Sequence, residues 1–172
     1  MTFSREIKEY GSSESDMKKT KKKICFAASS GGHYEQLMML KPLMDKYDSF
    51  ILTEKTLYDS AEKNEKTYYL KQVNRREFLF IIRMLENLFL SLGIFAKEKP
   101  DIVICTGVLA MIPMCIIAKL CGKKLIYIES FAKVTSATET GKLMYYVADQ
   151  FYVQWEPMLK IFPKAIYLGG IY

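Results

Sequence analysis

Short apolar runs of strand length alternate with stretches of helical spacing along the chain, and this alternation limits the possible folds more than any other feature. The runs are KICFAAS (23–29), SFILTE (49–54), TYYLK (67–71), DIVICT (101–106), KLIYIE (124–129), QFYVQ (150–154) and AIYLG (165–169). Residues 33–46, 75–97, 108–121, 141–149 and 155–162 carry the helical pattern between them, and 57–64 carries it more weakly. Strands separated by helices are joined by crossovers, so they run parallel and need cover on both faces. The expected class is therefore α/β: a Rossmann-like parallel sheet with helices on both faces. Open sheets of this kind bind ligands beyond the carboxyl ends of their strands, which directs attention to the residues just after each run.

Three such segments carry chemistry. In SSGGH (29–33), Gly31 and Gly32 remove side chains from a strand-to-helix turn, so backbone N–H groups beside Ser30 can approach an anion. A plain tight turn is the competing reading, because the spacing completes neither a P-loop nor a dinucleotide fingerprint. His33, the single histidine of the chain, falls on the first helical turn. There the helix dipole disfavours protonation and leaves a neutral imidazole suited to general-base work, or to capping alone. After DIVIC come Thr106 and Gly107. After IYI come Glu129, a candidate for a sugar hydroxyl or a proton, or a helix cap, and Ser130. One histidine and dispersed cysteines do not make a metal-ligand set.

RREFLFIIRMLENLFLSLGIFAKEKP (75–100) is strongly apolar, yet Arg83, Glu86 and Asn87 interrupt it below the ~18 uncharged residues a spanning helix needs. On a helix, Arg76, Arg83, Glu86, Asn87 and Ser91 form a narrow polar stripe. The rest of the surface suits deep burial or a lipid interface. In the lipid reading Phe78, Leu79, Phe89 and Phe95 enter the acyl boundary while Arg75, Arg76, Lys97 and Lys99 meet lipid phosphates.

At 172 residues and 50% hydrophobic content the chain suits a single domain, and the formal charge of +6 is compatible with nucleic acid, anionic lipid or a phosphorylated ligand. Half of that excess sits in residues 1–23, and the Ser- and Lys-rich segment 1–22 is read as a disordered basic leader ahead of one domain over 23–172. Cys25, Cys105, Cys115 and Cys121 form no Cys-x-x-Cys pair. They are expected to be reduced and structural, as on the cytosolic side of a cell.

Taken together, SSGGH, TGVLAMIP, YIESFAKV, TGKLMYYVADQFYVQWE and FPKAIYLGGIY, in that order between Lys23 and Tyr172, resemble the small bacterial capsular and exopolysaccharide proteins of the PssD/CpsF type. The pattern is more distantly similar to the membrane-anchor subunit of the eukaryotic transferase that adds the second GlcNAc to dolichol-linked sugar. It is also similar to the amino-terminal, acceptor-side half of GT-B glycosyltransferases such as MurG. The resemblance implies a peripheral subunit on the cytoplasmic face of the cell membrane. It would dock to the membrane surface and bind a polyprenyl-diphosphate-linked acceptor, while a separately encoded partner holds the nucleotide sugar. No cofactor and no nucleic acid enter this picture. By position, Ser30, Gly31, Gly32 and His33 match the acceptor-side turn, Thr106 and Gly107 the second loop, and Glu129 and Ser130 the third. Either His33 or Glu129 would serve as base. Lys133 stands where the family often has Arg, and the second loop is poorer in glycine than that of MurG. Two other functions remain open: a non-catalytic enhancer of the partner transferase, and an independent nucleotide-binding protein, for which Glu54 would be the acidic residue.

Overall fold

The computed structural model describes residues 22–55, 66–107 and 109–172. The leader up to residue 21 and the helix expected over 57–64 lie outside the described residues.

The elements run β1 (Lys23–Ala27), α1 (Gly32–Met38), α2 (Lys41–Met44), β2 (Asp48–Glu54), β3 (Thr67–Leu70), α3 (Phe80–Glu98), β4 (Ile102–Cys105), α4 (Ile112–Leu120), β5 (Lys124–Ile128), α5 (Glu139–Val147), β6 (Gln150–Val153) and β7 (Ile166–Tyr167). The strands form one sheet in the order β3-β2-β1-β4-β5-β6-β7, every neighbouring pair parallel. The order reverses between β1 and β4, so their carboxyl ends open a crevice there.

Alternate side chains of each strand enter opposite faces. Cys25, Ala27, Phe50, Leu52, Val103, Cys105, Leu125 and Tyr127 pack with Met114, Cys115 and Ala118 of α4 and Met144 of α5. Ile24, Phe26, Ile51, Ile104 and Ile126 pack on the other face with Leu37 of α1 and Met44 of α2. The near-continuous apolarity of the strands follows from this two-sided burial.

Helical segments differ from expectation mainly at their ends. The helix read over 33–46 divides at Met39–Leu40, and Pro42 opens the second piece. Pro113 likewise sits at the start of α4, which follows a 3₁₀ turn at Leu109–Met111. The segment read as a helix over 155–162 is a 3₁₀ turn, Glu156–Lys160.

Two residues of the polar stripe on α3, Asn87 and Ser91, are buried together with Glu98, while Ile81, Leu85 and Phe89 are exposed. The Asn87 side chain accepts from the Lys71 amide at 2.9 Å and donates to the Lys71 carbonyl at 2.8 Å, pairing the backbone just beyond the edge strand β3. Glu98 accepts from the Tyr68 hydroxyl and from the ammonium groups of Lys66 and Lys23. A sheet edge offers unpaired N–H and C=O groups, so the helix that covers it meets them with polar side chains. Ile81, Ile82, Leu85, Phe89, Leu90 and Leu92 are turned outward, while Ile94 and Phe95 pack against the core.

Candidate functional site

The three loops singled out in the sequence meet at the carboxyl edge of the sheet. After β1, the Ala28 amide continues the ladder to the Leu52 carbonyl, and the chain then turns at Gly31 with φ 74°, a left-handed conformation that favours glycine. The Gly31 carbonyl accepts from the amides of Tyr34 and Glu35, which starts α1. At Gly32 an added Cβ would meet nothing within 4 Å, so the turn presents an open face.

His33 and Thr106 join the first two loops. Nδ1 of His33 lies 2.7 Å from the Thr106 carbonyl oxygen, and the Thr106 hydroxyl donates to the His33 carbonyl at 3.0 Å. A carbonyl only accepts, so Nδ1 carries the proton and the Nε2 lone pair is left as the basic position. Burial lowers the His33 pKa from its ordinary 6.5, against a smaller upward pull from the Thr106 carbonyl. The ring is neutral at pH 7.

Gly107 has φ 114°, and a Cβ there would lie 3.0 Å from Cε1 and 3.1 Å from Nδ1 of His33. Glycine at 107 thus makes room for the imidazole.

The third loop behaves differently. Glu129 is only 1% exposed, so the side chain is inside the fold. One carboxylate oxygen accepts from the Ser130 amide at 2.9 Å, and the Thr138 hydroxyl sits 3.0 and 3.2 Å from the two oxygens. The Thr138 hydroxyl also accepts from the Gly141 amide, capping α5. A Cβ on Gly141 would fall 1.7 Å from Oε2, so that glycine admits the carboxylate. Burial raises the Glu129 pKa, and its bonds to Ser130 and Thr138 together with the charge of Lys133 oppose the rise. Its carbonyl accepts from Gln36 at 3.3 Å and Gln154 at 2.9 Å. Ser130 is nearly buried beside it. The arrangement suits an organising carboxylate, and His33 stands closer to solvent.

Residues the sequence reading passed over complete the site. Gln36 donates to Glu129 and accepts from the Phe131 amide at 3.2 Å, linking α1 to the third loop. The Tyr127 ring lies beneath Gly107, its oxygen 3.6 Å from the position of an added Cβ. Gln36 lies one helical turn beyond His33, and Thr138 has the residue type and place of an N-cap, so both had a signal. Nothing in the sequence connects Tyr127 to them. Glu54, the acidic residue a dinucleotide site would direct at a ribose, is buried and accepts from the amide of Val73 at 3.3 Å.

The residues expected to touch lipid separate into two groups. Arg76, Phe78, Leu79 and Phe89 are exposed, Phe78 completely. Phe95 is half-buried and packs on the core beside α4, correcting its place in the outward face. It points the same way as Ser91 and Glu98, toward the sheet. Among the described residues no helix is long and apolar enough to cross a membrane.

A parallel sheet in this order with a glycine turn at its reversal point is the Rossmann-like half of a GT-B fold, and solved structures agree. MurG of Acinetobacter baumannii superposes with a TM-score of 0.63 at 18% identity, over 79% of this chain and 42% of that one. A UDP-N-acetylglucosamine 2-epimerase from Rickettsia bellii gives 0.68 at 11% identity, over 88% of this chain and 45% of that one. The chain thus spans less than half the length of these structures. Residues 70–171 match the family described as oligosaccharide biosynthesis protein Alg14 like, and the chain belongs to that family. The human UDP-N-acetylglucosamine transferase subunit ALG14 is 27% identical over 183 residues, covering 86% of this chain and 82% of the human protein.

Proposed function

We propose that this chain is the acceptor-binding, membrane-docking subunit of a two-chain glycosyltransferase that extends a polyprenyl-diphosphate-linked sugar during capsular or exopolysaccharide assembly at the cytoplasmic face of the membrane. One observation carries the reading: the glycine turn, His33 and the loop leading to the exposed apolar face of α3 share one edge of the sheet. Residues 71–79 leave the carboxyl end of β3 and pass Glu54 at Val73. A lipid-anchored diphosphate would need such proximity, because its headgroup stays at the bilayer surface. The relatives' description as transferase subunits supports a partner that supplies the nucleotide sugar.

The acceptor diphosphate would lie along the open face of Gly31 and Gly32, where backbone amides are available. His33 Nε2 takes the proton of the attacking acceptor hydroxyl. Ser30, Thr106, Gly107 and Ser130 shape this side of the cleft, and Glu129 holds the third loop. The deciding experiment reconstitutes the chain with a candidate donor-binding transferase subunit, on vesicles carrying a polyprenyl-diphosphate sugar. Transfer is expected only from the pair. Turnover by the isolated chain overturns the two-chain reading, and full turnover by a pair carrying His33→Ala leaves only an enhancer role.

A further inference from the structure

Gln36 and Gln154 stand on different elements, and their side chains meet at one backbone atom. Gln36 lies on α1, one helical turn beyond His33, and Gln154 directly follows β6. Both are buried, and both donate to the carbonyl of Glu129, Gln36 at 3.3 Å and Gln154 at 2.9 Å. Their oxygens accept elsewhere: Gln36 Oε1 from the Phe131 amide and Gln154 Oε1 from the Ile171 amide, each at 3.2 Å. A backbone amide only donates and a carbonyl only accepts, so these partners fix which way each side-chain amide is turned.

The third loop is held throughout its backbone. The Glu129 amide donates to the Tyr152 carbonyl at 2.9 Å, the Ser130 amide to Glu129 Oε1 at 2.9 Å and the Phe131 amide to Gln36. The Glu129 carbonyl takes the two glutamines, the Ser130 carbonyl accepts from the Lys133 amide at 3.0 Å, and the Phe131 carbonyl accepts from Trp155 Nε1 at 2.7 Å. The amides of residues 129–131 are therefore engaged inside the fold, unlike the open turn at Gly31 and Gly32. Of the partners that hold this loop, only Gln36 comes from the helix that carries His33. One side chain thus ties the imidazole's helix to the loop of Glu129 and Ser130.

We propose that Gln36 is a positioning residue of the transfer reaction: by gripping the Glu129 carbonyl and the Phe131 amide from the His33 helix, it sets the third loop, with Ser130, at the separation from His33 that the acceptor hydroxyl requires. This rests on the acceptor-binding reading above. Gln36 touches no reacting atom. Gln154 holds the same carbonyl from the sheet and leaves α1 free of it.

The test is Gln36→Glu in the reconstituted pair, read as a ratio to wild type at each pH so that the His33 limb cancels. A protonated glutamic acid reproduces the amide, with an O–H for the Glu129 carbonyl and a C=O for the Phe131 amide, whereas its ionised form only accepts and opposes that carbonyl. Burial raises the pKa of such a carboxyl, so the variant should pass from ionised to protonated between about pH 8.5 and about pH 6. Its kcat should lie about tenfold below wild type at the alkaline end and recover toward wild type at the acidic end, with KM for the nucleotide sugar unchanged. Gln36→Met keeps the length of the side chain and removes both bonds, and it serves if Gln36→Glu does not fold; its kcat should be about tenfold low at every pH. Gln154→Met removes a bond to the same carbonyl without releasing α1, so it should lower the melting temperature as Gln36→Met does with a clearly smaller fall in kcat. A Gln36→Glu deficit that ignores pH, wild-type kcat in Gln36→Met, or equal falls in kcat for the two Met variants overturns the positioning role and leaves the two-chain reading intact. A wild-type pair that transfers no sugar, or one that keeps full turnover with His33→Ala, overturns the acceptor-binding reading, and the positioning role with it.

Discussion

His33 and Thr106, 73 residues apart in the chain, hold each other through two reciprocal hydrogen bonds between side chain and carbonyl. The pair bridges the carboxyl ends of β1 and β4, where the strand order reverses. Thr106 is fully buried, so the imidazole is fixed from below while its Nε2 edge is turned away from the Thr106 carbonyl. Orientation and protonation state are thus set by the same contact.

The first prediction concerns pH. On the proposed role of His33 as a neutral base, burial lowers its pKa below 6.5, so kcat/KM of the reconstituted pair should stay flat through that value and fall only in more acidic solution. His33→Ala should reduce turnover by ~10²–10⁴-fold and remove this acid limb. Stability follows the same sign. The unfolded chain binds the proton more readily, so the His33 contribution is complete above pH 6.5 and is lost as pH falls through the lowered folded value. Urea melts of wild type and His33→Ala across this window should converge toward the acidic end.

Gly107 and Gly32 should respond differently to alanine. At Gly107 the new methyl meets both a positive φ and the His33 ring, so Gly107→Ala should cost about 1–3 kcal/mol and displace the imidazole. Gly32→Ala meets open space and should leave the melting temperature nearly unchanged. Gly32→Val should fold and lose acceptor binding, read as a rise in KM, because its branched side chain would project where the proposed diphosphate site lies.

On α3 the outward and inward faces should separate binding from folding. Ile81 and Phe89 are about 70% exposed, so replacing both with Ser should release the chain from lipid vesicles without altering its melting temperature. Asn87→Ala should do the reverse. It breaks both part-buried bonds to the Lys71 backbone, at a cost of about 1–2 kcal/mol by denaturant titration. Equal effects of the two changes on vesicle binding would place the lipid contact elsewhere.

Glu98 makes acid stability a further check. Burial alone would raise its pKa, but bonds from Lys66, Tyr68 and Lys23 overcome this and hold it at about 2. Because the folded value is depressed, the stabilisation is complete above the usual 4.5 and is lost as pH falls toward about 2. Glu98→Gln should therefore destabilise the chain at neutral pH. The difference from wild type should shrink across that acid window in thermal melts.

The order and kind of the strands, the sheet class and the glycine turn were legible in the sequence, because apolar runs buried on two faces and a Gly-Gly step at a strand end are local patterns. Thr106, Gly107 and Glu129 were found for the same reason: each directly follows a strand. What each one touches depended on pairing across long separations. The match of Gly141 to the Glu129 carboxylate, and of Gly107 to the His33 ring, exists only once β1, β4, β5 and α5 are side by side. The facing of α3 was decided the same way. Periodicity shows that a helix has two unlike faces, but burial of Asn87 and Glu98 follows from what lies opposite: the unpaired backbone of Lys71 at a sheet edge, and the charges of Lys23 and Lys66. Those demands belong to the assembled sheet, and they turned outward an apolar face for which periodicity left burial and exposure both open.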